Sequence, residues 1–200
     1  MPDEPGGLVR KFVVLSWSGG KDSALALDAL LQDPDVRVVG LLTSITTDYD
    51  RISVHGVRRS MLEAQMERLG LPMAVTHVAF GDLFLEDVRS YRERLMSGTG
   101  IEPLFPLWGL DTTVLAKRFV DDGFSARLVC VDTTQLDATF AGRSFDRDLL
   151  ADLPATVDPC GERGEFHTFV WNAPQFSHPI AYRVGETVLR DERFMFCDIE

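Results

Sequence analysis

Ser16-Trp17-Ser18-Gly19-Gly20-Lys21-Asp22-Ser23 stands between the apolar run Phe12-Val13-Val14-Leu15 and the stretch Ala24-Leu25-Ala26-Leu27-Asp28-Ala29-Leu30-Leu31. The first run reads as a buried parallel strand and the last as an amphipathic helix. A turn of serine and glycine between a strand and a helix start is an anion trap. Gly19 and Gly20 carry no Cβ to hold an anion away and reach backbone angles closed to other residues. The first N–H groups of the helix lack internal partners and lie at the positive end of its dipole, where a phosphate fits. Lys21 adds a full positive charge, and Ser18 and Ser23 add hydroxyl donors.

Two commoner phosphate loops do not match. A Walker A loop needs a glycine, four residues and then Gly-Lys-Ser/Thr, with the magnesium hydroxyl directly after the lysine. Here Asp22 follows Lys21 and no glycine stands at the earlier position. The spaced Gly-x-Gly-x-x-Gly of dinucleotide folds is also missing. The six residues Ser18 to Ser23 resemble instead the PP-loop of the ATP pyrophosphatase superfamily, Ser-Gly-Gly-Lys-Asp-Ser. That resemblance implies cleavage of ATP between the α and β phosphates, with the loop holding pyrophosphate.

The 200 residues suffice for one large domain, or for one domain and a modest second unit. A hydrophobic fraction of 45% is ordinary for a globular chain. No apolar run approaches the roughly 20 residues of a membrane helix. Residues 1–7 have no cationic flank and no long apolar core, so they read as a short disordered lead and not as a secretory signal. Cys130, Cys160 and Cys197 are odd in number and show no C-x-x-C spacing, which argues against disulfides and a zinc ribbon and for a reducing cytoplasm. Cys130 and Cys197 read as small apolar filler. A net charge of −11 repels polyanions and argues against a nucleic-acid partner such as tRNA.

Strand and helix signals alternate, which predicts a parallel sheet flanked by helices. A second strand is expected at 38–42, with the polar loop 46–50 beyond its carboxyl end. A second helix is expected from His55 to Leu69, closed by Gly70, and a third strand at 75–80. The third helix is expected to start at Gly81-Asp82 and to carry Phe84, Val88, Tyr91 and Leu95 at helical spacing. Its charges read as a solvated face. Residues 101–109, rich in proline and aromatics, read as a crossover. Asp111 is a candidate N-cap for a helix to Val120, closed by Gly123. A strand follows at 127–131, then a polar loop with a short helix. The tail from Phe169 to Ile199 reads as antiparallel strands turning at Gly185-Glu186. The expected division is an ATP-binding unit over 1–97 and a substrate-binding unit over 98–200.

A second informative segment is Asp158-Pro159-Cys160-Gly161-Glu162-Arg163-Gly164-Glu165-Phe166-His167-Thr168. Within the six residues Glu162 to His167, two carboxylates, an imidazole and a guanidinium fall on a loop made pliant by glycine, where such groups can converge on a ligand. A charged surface turn is the plain alternative. Together with the PP-loop, the segment resembles the diphthine–ammonia ligase family, whose late motif is Gly-Glu-x-Gly-Glu-(Phe/Tyr), a polar residue and Thr. His167 is similar to the version in bacterial-type relatives. His55-Gly56-Val57 and Pro106-Leu107-Trp108 also look like family features. The resemblance spans about Phe12 to Asp198.

It implies an adenine-nucleotide α-hydrolase-like, Rossmann-like α/β fold with a smaller C-terminal α+β domain. It also implies a reaction in which ATP adenylates a substrate carboxylate and ammonia displaces AMP. The expected nucleotide contacts are Ser16, Ser18, Gly19, Gly20, Lys21, Asp22 and Ser23, with Thr43 and Ser44 beside the adenine at the carboxyl end of strand two. Lys21 and the loop amides are placed to stabilise the leaving pyrophosphate. Magnesium is expected on the phosphates, and Asp22 either ligates it or positions the loop. Glu162, Glu165 and His167 are the candidates to bind ammonium or take its proton. Arg163 is either an anion contact or a surface ion pair. His55 and Trp108 are each open between site and structure, and His77 and His178 read as structural. The partners expected are ATP, ammonium and an unidentified carboxylate, with no membrane and with a homodimer left open. The competing functions are a tRNA-modifying adenylating enzyme of the same superfamily and a non-catalytic ATP-binding module.

Overall fold

A computed structural model describes residues 11–42, 45–46, 51–52, 59–69, 77–98 and 102–200. In chain order its elements are β1 (Lys11–Ser16), α1 (Lys21–Gln32), β2 (Val36–Leu42), β3 (Ile45–Thr46), β4 (Arg51–Ile52), α2 (Arg59–Leu69), β5 (His77–Ala79), α3 (Glu86–Met96) and β6 (Glu102–Leu104). There follow α4 (Thr112–Asp121), β7 (Ser125–Asp132), β8 (Ser144–Phe145), α5 (Arg147–Asp152), β9 (Phe166–Asn172), β10 (Val184–Arg190) and β11 (Phe194–Ile199). A 3-10 turn, Ala138–Phe140, precedes β8.

The first sheet has the order β2-β1-β5-β6 with every pairing parallel. Strand β1 lies inside this sheet, and Val13, Val14 and Leu15 are all buried, as its unbroken apolar run requires. The second sheet is antiparallel around β7, which pairs with β8, β9 and β11, while β10 closes the edge on β11. One continuous core joins the two sheets, running from Val13, Trp17 and Leu27 through Phe119 and Leu128 to Phe166 and Phe169. The chain thus has the α/β architecture expected, with a further antiparallel sheet. Among the described residues no helix is long and apolar enough to cross a membrane.

Helix α4 is capped as expected, the Asp111 carboxylate accepting from the Val114 amide at 2.8 Å. Three expectations need correction. Residues 102–104 form a strand, not a crossover. Pro103 has no N–H to offer a ladder, but β6 lies at the sheet edge, where one side needs no donor. Helix α3 begins at Glu86 and not at Gly81-Asp82, because the Leu83 and Phe84 amides are held by the distant Glu162 carboxylate. Its face is also not simply solvated. The Arg89 guanidinium lies 4.9 and 4.7 Å from the ring centres of Phe105 and Trp108, and that of Arg92 lies 4.8 Å from Phe80. Tyr91 and Leu95, expected on the packed stripe, are about half exposed.

The third correction concerns the last hairpin. It turns at Asp191-Glu192, both with positive φ (50° and 51°), while Gly185-Glu186 lies within β10 at a register irregularity. The turn is fastened elsewhere. Arg193 donates to both oxygens of the buried Asp132, at 3.0 and 2.6 Å, and Thr134 and Gln135 complete the carboxylate's partners. These bonds hold the Asp132 carboxyl well below the usual carboxylate range. The expected start of helix two at His55, the first residues of the third strand and the helix stop at Gly70 lie outside the described residues.

Candidate active site

The carboxyl ends of β1, β2 and β5 open into a cleft of about 440 Å³. Its floor is the strand–turn–helix junction, with Ser16, Trp17, Ser18, Lys21, Asp22 and Ser23 on the wall. Phe80, Gly81 and Asp82 follow β5 along one side, and Arg92 reaches in from α3. The opposite wall is Glu162, His167 and Thr168, with Gly161, Gly164 and Phe166. The two segments singled out in the sequence therefore face each other, although well over a hundred residues separate them.

The turn is tied into both sheets. Gly20 is the N-cap of α1, and Gly19 has φ +78°, a conformation that glycine adopts without strain. Both glycines are buried behind the cleft wall. The Ser23 hydroxyl donates to the Gly20 carbonyl at 2.8 Å, and the Ser18 hydroxyl donates to Ser23 Oγ at 3.3 Å. The Lys21 amide donates to the Thr168 hydroxyl at 2.9 Å. The Val170 amide on β9 donates to the Gly19 carbonyl at 2.9 Å.

Lys21 is almost wholly buried, and its Nζ lies 2.5 Å from Asp22 Oδ1 and 5.9 Å from the Phe166 ring centre. Burial works against its charge, but the neighbouring Asp22, with Glu162 adding a smaller effect, outweighs that, and the ammonium is held above its ordinary range. Asp82, also on the wall, is shifted upward by burial. Its Oδ2 lies 3.6 Å from Arg92 Nε, and neither buried atom has a hydrogen-bond partner among the described residues.

Glu162 and Glu165 sit differently. Glu162 Oε1 accepts from the Leu83 amide at 2.7 Å and from the Phe84 amide at 3.4 Å, and the residue lines the cleft. Burial pushes its carboxyl up to about 7, with the Asp22 charge adding to the effect and the two amides opposing it. Glu165 is buried and faces its own loop, accepting from the Asp158 amide at 2.9 Å and the Arg163 amide at 2.9 Å. It does not line the cleft. Asp158 has a similar structural place, accepting from Thr112, Cys160 and Glu162. Gly161 is required at this loop. Its φ is +68°, and a Cβ there would meet the Phe166 carbonyl oxygen at 2.8 Å.

Burial pushes the Cys160 thiol up to about 12, and its Sγ lies 3.4 Å from the Thr112 carbonyl, so it is packed filler and not a nucleophile. His77 Nε2 lies 3.4 Å from Glu102 Oε2 across the β5–β6 pair, a structural position. Trp108 packs under Arg89 outside the cleft wall. Thr43, Ser44 and His55 lie outside the described residues.

Sequence reasoning passed over Gln65, which is fully buried. Its Oε1 accepts from the Trp17 indole at 2.8 Å, and its Nε2 donates to the carbonyls of Gly19 at 3.2 Å and Val170 at 2.6 Å. The available signal was a glutamine on a helical stripe with Met61, Ala64 and Leu69, which pack against the core. Asp82 and Arg92 were also missed. The signal for Asp82 was only its proximity to the end of β5, and Arg92, in the middle of α3, carried none.

A parallel sheet with a Ser-Gly-Gly-Lys-Asp-Ser turn at its carboxyl edge, closed by a glutamate-bearing loop, defines a PP-loop protein. Family models agree: the diphthamide synthase N-terminal domain matches residues 10–102 and the diphthamide synthase C-terminal domain matches residues 111–200. The chain belongs to the diphthamide synthase family. No curated protein matches it.

Proposed function

We propose that this chain is a cytoplasmic, AMP-forming ligase that uses ATP to adenylate a carboxylate and then amidates it with ammonia. The observation that carries this is the confrontation, across one cleft, of a buried cation on a phosphate loop with a carboxyl held near neutrality, Lys21 and Glu162. A carboxylate resists ammonia because its leaving group would be oxide. Adenylation replaces that leaving group with AMP.

In the first step the substrate carboxylate oxygen attacks the α-phosphorus, and the bond to the β-phosphate oxygen breaks. Lys21 and the first-turn amides of α1, which lack intrahelical acceptors, stabilise the charge developing on pyrophosphate. In the second step Glu162, as carboxylate, takes a proton from ammonium. The ammonia attacks the acyl carbon, AMP leaves with the bonding pair, and His167 accepts the surplus proton of the nitrogen. Glu165 and Asp158 hold the loop that presents Glu162. Magnesium, which usually keeps several waters and takes one or two carboxylates with substrate phosphates, suits the donors here. Asp22 and Asp82 would hold it, Asp82 through its buried Oδ2, which has no hydrogen-bond partner among the described residues and lies 3.6 Å from Arg92 Nε. When bound, it would neutralise phosphate charge.

The test is product analysis after incubation with ATP, magnesium, ammonium and cell extract as the source of acceptor. AMP and pyrophosphate in equal amounts are expected, dependent on the extract. ADP with phosphate, or no turnover, would count against the proposal.

A further inference from the structure

We infer that Gln65 is a positioning residue that sets the direction of the Gly19–Gly20 peptide and so keeps the phosphate loop ready for pyrophosphate. This rests on the loop's proposed role as a pyrophosphate cradle.

The orientation of the Gln65 amide follows from its partners. The Trp17 indole can only donate, so it must face Oε1, and the two carbonyls can only accept, so they must face Nε2. Both N–H donors of the side chain are then used, one on Gly19 of the loop and one on Val170 of β9. The Gly19 carbonyl accepts twice, from Gln65 and from the Val170 amide.

A trans peptide carries its C=O and the following N–H in opposite directions. Drawing the Gly19 carbonyl towards α2 and β9 therefore turns the Gly20 N–H the other way. That N–H lies 3.4 Å from the hydroxyl of Ser18, a residue of the cleft wall. So long a contact leaves the donor available to a stronger acceptor such as a phosphate oxygen. Two adjacent glycines offer little resistance to a peptide flip, which would present a carbonyl oxygen to the anion in place of the donor. Gln65 opposes that flip from a different element of the fold, alongside the Val170 amide on the same carbonyl, and it does so from a fully buried position.

The experiment is calorimetric titration of the whole chain with magnesium pyrophosphate and, separately, with AMP. The proteins compared are the wild type, Gln65→Met, which keeps the volume but not the donors, and Gln65→Glu, which turns a carboxylate on the two carbonyls. Thermal unfolding checks that each variant is folded. The expected result is pyrophosphate affinity weaker by about tenfold in Gln65→Met, the worth of one hydrogen bond to a charged group, and weaker still in Gln65→Glu. AMP affinity should stay within about twofold of wild type in Gln65→Met, since the nucleoside end does not depend on this peptide. Equal losses for both ligands would mean a general packing role and overturn the inference, as would a Gln65→Met protein that binds pyrophosphate like the wild type. A folded wild type that fails to bind pyrophosphate at all would take down the cradle reading, and this inference with it.

Discussion

Lys21 and Glu162 divide the proposed chemistry between them, and each makes a prediction. Lys21→Ala removes a preorganised charge from the departing pyrophosphate and should slow adenylation by roughly 100- to 1000-fold, read as pyrophosphate release under saturating ATP. Glu162 acts only as carboxylate, so turnover should rise with pH through about 7, and Glu162→Gln should lower the rate and flatten that rise. The same shift has a stability consequence of fixed sign. The fold favours the neutral carboxyl, so the contribution of Glu162 is full below its ordinary 4.5 and lost as pH climbs to about 7. Denaturant midpoints of Glu162→Gln should lack that part of the decline. At this scale the sequence disclosed the loop because its six signature residues are contiguous and sit between a strand and a helix. It did not separate Glu162 from Glu165, which are three residues apart and alike in type. One reaches the amides of a distant segment and the other those of its own loop, a difference set by long-range folding.

Among the elements, α1, β1 and α4 were legible because local signals agree with burial: unbroken apolar runs, an Asp cap and a closing glycine. The start of α3, strand β6 and the last turn were not, and each failure has a separate cause. A carboxylate from another part of the chain holds the amides before α3. An edge position admits Pro103. The final turn tolerates two non-glycine residues in the left-handed region because the Arg193 clasp on Asp132 fixes the hairpin from outside. Left-handed backbone costs roughly 1–2 kcal/mol at an ordinary residue. Asp191→Asn with Glu192→Gly, the preferred pair for such turns, should therefore raise unfolding stability by up to about 1 kcal/mol in chemical denaturation. A loss of stability would show that Asp191 or Glu192 makes a contact worth more than the strain.

On the scale of the whole molecule, the cleft lies on a seam. Thr168 and Val170 of the second sheet bond directly to the turn that ends β1, and one continuous core passes beneath. A ligand of the turn should therefore stabilise both sheets together. Magnesium pyrophosphate at about 100 times its dissociation constant should add about 2.7 kcal/mol, seen in scanning calorimetry as one transition moved upward intact. A trace that splits in two would mean that the sheets unfold independently. The sequence indicated two layers of different type but not their joint, because the joint is made of a threonine hydroxyl, a backbone amide and a glutamine that no local pattern marks.

Cys130, Cys160 and Cys197 are all unbridged and buried, and they are spread over the antiparallel layer and the loop beside the phosphate turn. The chain thereby carries its own clock for opening motions. An aromatic disulfide reagent should label the three thiols only as fast as the surrounding structure exposes them, and saturating pyrophosphate should delay the Cys160 signal more than the Cys197 signal. Equal delays would mean that the whole chain opens in one concerted event.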